Sequence, residues 1–229
     1  MPRPLSLSAC AAITVLVVAL ATSGCSSTEA SKRRTAKSTY RDAVLAMRDG
    51  EVDRALDLAA TAAEEAPGFV DPHLFMGGVE EQRGDFDAAR FHYRNALAID
   101  PTFTAIGVRI GLTFVQEENF DEARGWFLKA LDADPGSFQA TFNLGTLSRQ
   151  TGELEEAAEW YRVAASLEPR DMDALVHLSR LRLEAGDAAG ALEAAEEALT
   201  RVPEVEEGKP EPPVVQAARD ARDAAQSSE

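Results

Sequence analysis

The chain has 229 residues, with 39 Asp and Glu against 23 Lys and Arg, three His and two Cys. That length sets one or two domains, and 45% hydrophobic residues on an Ala- and Glu-rich background favour a helical core. A net charge of −16 argues against a nucleic-acid or acidic-membrane binder, because such partners need an excess of Lys and Arg to displace counterions.

At the N-terminus, Arg3 precedes an apolar run from Leu5 to Ala21 whose polar members are Ser6, Ser8 and Thr14. A membrane-spanning helix needs about 20 apolar residues, so the run fits a secretory signal better than a span. Thr22-Ser23-Gly24-Cys25 then closes it with small residues and a cysteine. This resembles the lipobox of bacterial lipoproteins, with Thr22 where that family usually has Leu. The resemblance implies cleavage after residue 24 and acylation of Cys25, which makes the chain a membrane-tethered protein facing outward. An uncleaved N-terminal anchor is the alternative. Ser26 follows Cys25, and the resemblance places a lipoprotein without Asp there at the outer membrane, facing the periplasm, in a cell with two membranes. No cysteine follows Cys25, so the domain needs no disulfide in an oxidising compartment. Residues 25–35 read as a polar tether.

From residue 36 a single period governs the sequence. Pro67, Pro101, Pro135, Pro169 and Pro203 are each 34 residues apart. Ala55, Ala89, Ala123, Ala157 and Ala191 keep the same step, as do Ala62, Ala96, Ala130, Ala164 and Ala198. Gly50, Gly84, Gly152 and Gly186 form a further column, broken by Glu118. The pattern resembles the tetratricopeptide repeat. It predicts an all-α, right-handed superhelical solenoid of five helix-turn-helix repeats, at 36–69, 70–103, 104–137, 138–171 and 172–205.

Each column has a physical role. Glycine at the turn between helices A and B allows a left-handed backbone. Two alanines on helix B permit close packing, and proline stops helix B. Met76, Ile110, Leu144 and Leu178 on helix A, with Tyr93, Phe127 and Tyr161 on helix B, fill the core. Gly107 and Glu118 leave the pattern, so repeat three is expected to be the softest. A Pro/Glu-rich linker at 206–213 follows the repeats. Val214, Val215, Ala218, Ala221 and Ala225 then lie at helical spacing, giving either a helix that caps the last repeat or a disordered tail.

The residues offer no chemistry. There is no Gly-rich phosphate loop, no His-Glu-x-x-His pair and no cysteine after Cys25 to act as a nucleophile. His73, His92 and His177 lack metal-ligand spacing. No cofactor and no catalytic residue are expected.

The resemblance implies a concave groove lined by the second, fifth, sixth, ninth, twelfth and thirteenth positions of each repeat. The binding candidates are Tyr40, Arg41 and Val44 in repeat one and Leu74 and Phe75 in repeat two. Val108, Arg109 and Leu112 follow in repeat three. Phe142, Asn143 and Arg149 belong to repeat four, and Val176, His177 and Arg180 to repeat five. The thirty groove positions together carry a net charge of +2, while the repeats as a whole carry −16. An apolar strip with an Arg row inside an acidic shell suits a polypeptide with apolar anchors and some acidic character. His92, Trp126 and Trp160 share one position on helix B, where packing on the adjoining repeat competes with a second binding surface. The expected function is a non-catalytic adaptor of the bacterial cell envelope, with a protein partner. The alternative resembles pilotins, repeat lipoproteins that help secretin or type IV pilus channels assemble.

Overall fold

A computed structural model describes residues 7–202 and 213–228, with side chains from Thr28 onward. Cys25 and the apolar run before it therefore lie outside the described side chains, as does most of the linker at 206–213. Among the described residues the secondary structure is entirely helical. The helices are α1 (Leu7–Arg48), α2 (Val52–Glu65), α3 (Val70–Arg83), α4 (Phe86–Ile99), α5 (Thr104–Gln116) and α6 (Phe120–Ala133). They continue with α7 (Phe138–Thr151), α8 (Leu154–Leu167), α9 (Asp173–Glu184), α10 (Ala188–Thr200) and α11 (Pro213–Gln226). The chain divides into two compact units, residues 1–100 with α1–α4 and residues 101–229 with α5–α11. The division falls in the turn between α4 and α5.

The five A/B hairpins are α1/α2, α3/α4, α5/α6, α7/α8 and α9/α10, and all five turn in the same way. Gly50, Gly84, Gly152 and Gly186 have φ between +78° and +84°. In repeat two the Gly84 amide donates to Glu81 and the Asp85 amide to Glu80, at 3.0 Å each. The same two bonds recur one period apart in every repeat, which is the Schellman closure of a helix C-terminus. Repeat three keeps it without glycine. Glu118 adopts φ +57°, and the Asn119 amide still reaches the Phe114 carbonyl at 2.9 Å. Shape is preserved there at the cost of about 1 kcal/mol of left-handed strain on a residue with a Cβ.

Helix B stops where the prolines require it. Ala66, Asp100, Asp134 and Glu168, each just before a proline, have φ between −121° and −141° and ψ between 81° and 92°. Proline's ring disfavours a helical conformation in the residue before it. Asp85 and Asp187 cap helix B by accepting the amides of Ala88 and Gly190 at 3.0 and 2.9 Å.

The core follows the columns. All ten periodic alanines of helix B are buried. Opposite them, ring and glycine alternate in a lock the periodicity did not disclose. A Cβ on Gly77 would lie 2.5 Å from the Tyr93 ring, one on Gly111 2.4 Å from Phe127, and one on Gly145 2.9 Å from Tyr161. Each of these three helix B rings therefore lies on a helix A glycine. Repeats one and five lack the ring, with Ala59 and Ala195 in its place, and accordingly carry Ala43 and Ser179 where the others have glycine. The ring's polar tip is matched as well. Tyr93 donates to Glu81 Oε2 at 2.6 Å, and the Tyr161 hydroxyl lies 3.1 Å from Thr146 Oγ1. Phe127 has no hydroxyl, and its repeat places Val115 where repeat two has Glu81.

The ends complete each unit. Ala36 is fully buried with Ala62, Ala66 and Phe69, and is the first buried residue among the described side chains. Residues 28–35, expected as a spacer, are exposed yet helical, because α1 runs on through them. At the other end α11 buries Val215, Ala218, Ala221 and Ala225, with Val215 and Ala218 joining the apolar cluster of α8–α10. Among the described residues, no helix is long and apolar enough to cross a membrane.

Candidate functional site

In the first unit, the helix A faces of α1 and α3 meet through rings. Tyr40 makes edge contacts with Phe69 at 5.5 Å and Phe75 at 5.9 Å. Burial and the nearby Asp71 push its hydroxyl above the usual pKa, so it stays a neutral donor. Arg41 and Val44 are exposed, and Leu74 and Phe75 are half-buried. This patch is small, apolar and partly open.

The second unit holds a larger assembly on α7 and α9. Phe142 stacks on Phe138 at 5.6 Å and meets the edge of His177 at 5.1 Å. His177 in turn stacks on Tyr161 of α8 at 5.4 Å. Four rings thus form one floor. Arg149 Nη1 pairs with Glu184 Oε1 at 3.2 Å, linking the ends of α7 and α9. Arg180 is exposed and forms no ion pair among the described residues. Burial first, then the positive charges of Arg180 and Arg149, hold the His177 imidazole below its ordinary pKa, while Asp173 opposes them. His177 is therefore a neutral, stackable ring at neutral pH.

The predicted positions are not all surface. Tyr40, Leu74, Leu112, Phe142, Asn143 and His177 are half-buried, and Arg41, Val44, Arg109, Arg149 and Arg180 are exposed. Val108 and Val176 are corrections, each 3% exposed within the core. Valine at the fifth helix A position is too short to leave the interhelical seam, whereas Tyr40, Leu74 and Phe142 reach out of it. Phe138, which sequence reasoning left out, belongs to the aromatic floor, and Tyr161 supports that floor from the core, where it was expected. Two of the histidines that lack metal-ligand spacing in the sequence are neighbours: the His73 and His92 rings lie 6.2 Å apart in the first unit, each with a buried Nδ1 lacking a hydrogen-bond partner. Of the helix B column, Trp160 packs on the α5–α7 cluster and donates to Glu156 at 3.0 Å. Trp126 carries the Lys129 ammonium 4.5 Å from its ring centre.

Repeated helical hairpins, with apolar and cationic side chains on the helix A faces, define a repeat scaffold of the kind that binds peptides or proteins. The chain belongs to the tetratricopeptide repeat family, whose model matches residues 36–102 and 108–169, more than half of the sequence. No curated protein matches it. Among solved structures, it is similar to MamA (residues 41 to the end) from Desulfovibrio magneticus RS-1. That match has a TM-score of 0.61 and 20% identity, and covers 72% of this chain and 94% of that one. It is also similar to pilF of Pseudomonas aeruginosa, with a TM-score of 0.63, 18% identity, and 86% and 90% coverage. YrrB, described as having an unusual peptide-binding site, matches with a TM-score of 0.57, 19% identity, and 81% and 90% coverage. At these identities the likeness is one of fold. Tetratricopeptide proteins are typically non-catalytic interaction scaffolds.

Proposed function

We propose that the protein is a lipid-anchored adaptor of the bacterial cell envelope that holds a polypeptide segment against the helix A faces of its repeats. The observation that carries the reading is the ring floor of Phe138, Phe142, Tyr161 and His177, edged by Arg149 and Arg180. Aromatic surface supplies burial at low entropic cost, and arginine beside it supplies directional hydrogen bonds. The tether follows from Thr22-Ser23-Gly24-Cys25, with the lipid on Cys25 and the repeats facing the periplasm from the outer membrane where two membranes exist. Anchoring raises the local concentration of the groove, so a modest affinity suffices for assembly. A second reading, a pilotin-like assembly factor for a secretin or type IV pilus complex, draws support from the fold likeness to pilF across 86% of this chain.

Two measurements test the proposal. Mass spectrometry of the membrane-extracted protein should find an N-terminal, acylated Cys25, and Cys25→Ser should release the chain from the membrane. An unprocessed N-terminus would refute the lipoprotein reading. Affinity capture from detergent-solubilised envelopes should recover a partner with the native protein and lose it with Arg109→Glu/Arg149→Glu. An identical set from both proteins would contradict a helix A site. Capture of secretin or pilus subunits would favour the second reading.

A further inference from the structure

The net charge of −16 hides an asymmetry at the membrane-proximal end of the chain, whose reading rests on the tether proposed above. From Cys25 to Arg41 there are five Lys or Arg against Glu29 alone, whereas the residues from Asp42 onward hold 17 basic and 38 acidic side chains. Lys32, Arg33, Arg34 and Lys37 flank Ala36, the first buried residue of α1, and all four are exposed. None of them forms an ion pair among the described residues, whereas Arg54, Arg83, Arg124 and Arg201 each pair with a carboxylate. Few acids stand near. Glu29 lies one turn earlier on α1, and Glu64 and Glu65 at the end of α2 line a cleft with Lys32. Glu65 there accepts a hydrogen bond from Thr39 Oγ1 at 2.9 Å.

We infer that these four cations form a collar on α1 that rests on the anionic headgroups of the bilayer holding the tether. Helical rise puts Lys32 to Lys37 about 10 to 18 Å along α1 from Cys25, close to the screening length of about 8 Å at physiological salt. Helical side chains tilt toward the N-terminus, so these long cations reach back toward Cys25. Residues two apart on a helix point to opposite sides, which sets Lys32 and Arg34 on different faces with Arg33 and Lys37 between them. A ring of charge around a stem suits a plane that the helix crosses, as a headgroup layer is, better than a ligand laid along one face. Each Lys or Arg near an anionic surface is worth roughly a fivefold gain in affinity, so the collar adds a second anchoring signal to the lipid. The acidic repeats are repelled by the same surface. Attraction at the stem and repulsion beyond it together hold α1 out of the bilayer and keep the helix A faces open to a partner.

The test takes the full chain, purified in detergent and reconstituted on vesicles of phosphatidylethanolamine with about one-third phosphatidylglycerol, or with phosphatidylcholine in its place. Floated vesicles carrying the protein are treated with a membrane-impermeant amine reagent. Acylation of Lys32 and Lys37 is read by mass spectrometry against the exposed Lys129 of α6. On phosphatidylglycerol both should react at least about threefold more slowly than on phosphatidylcholine, the scale of one cation held at an anionic surface. The protection should fade in about 1 M salt, where the screening length falls to about 3 Å. Arg33→Gln/Arg34→Gln should remove most of it while leaving both lysines to report. Both arginines are exposed, so that variant should fold, and a thermal melt would confirm it. Equal labelling on the two kinds of vesicle would overturn the inference, leave the tether standing and assign the cluster to an acidic protein partner. Protection indifferent to salt and to the arginine changes would overturn it as well, because the contact would then not be electrostatic. Protein that floats with neither vesicle would contradict the tether and the inference together.

Discussion

At the scale of single residues, the fold depends on where a methyl group fits. Gly111 and Gly107 lie one turn apart on α5 and should respond in opposite ways to the same change. Gly111→Ala would place its Cβ 2.4 Å from the fully buried Phe127 ring, so the ring and the helix must shift. Overpacking of this kind costs roughly 1–3 kcal/mol. At Gly107 the nearest atom to an added Cβ is Ala130 Cβ at 3.6 Å, an ordinary contact. There alanine should raise stability by up to about 1 kcal/mol through helix propensity. Urea melts of the two variants decide the matter: equal or reversed shifts would contradict the packing described. The periodic residues were legible in the sequence because each position repeats a single physical demand. The ring-on-glycine lock was legible too, since glycine at the eighth position of a repeat occurs only where the twenty-fourth is aromatic. A search for constant columns passes over two columns that vary together.

Among elements, the turn of repeat three and the α3/α4 hairpin carry the sharpest expectations. Glu118 looked like a weak point because it replaces a glycine, and the structure shows the same closure as its neighbours built on a strained residue. Glu118→Gly should therefore stabilise the protein by about 1 kcal/mol, read as a shifted urea midpoint with an unchanged slope. A destabilised variant would mean that the glutamate side chain contributes more than its backbone costs. In α3 and α4, burial lowers the pKa of His73 and of His92 below the ordinary 6.5, and His73 lowers that of His92 further. The unfolded chain then binds protons more readily than the folded one. Stability is complete above about 6.5 and falls as pH drops from there through the lower folded values. His73→Gln/His92→Gln should flatten the stability profile between pH 7 and 5, and an unaltered slope would show that other groups set it. This neighbourhood was not legible beforehand: His92 stood out only through the tryptophans that share its position in repeats three and four, and nothing in a 34-residue period pairs it with His73. The groove was legible in part: register selects the helix A face, but side-chain length decides whether a residue reaches out, as Phe142 does, or stays in the seam, as Val176 does.

For the whole molecule, the chain is a tetratricopeptide scaffold in two compact units, acidic outside and cationic at the edge of its largest ring floor. Its repeats were legible from proline spacing alone, whereas the partner depends on chemistry that lies beyond this chain. The central claim is that a polypeptide lies on the helix A faces of α7 and α9. Site-specific photo-crosslinking in intact cells tests it most directly, with a photoreactive residue at Asn143 on α7 and, for comparison, at the exposed Val163 on α8. The account predicts a discrete crosslinked partner from position 143 and none from position 163. Crosslinks from position 163 alone would place the partner on the helix B surface and contradict it.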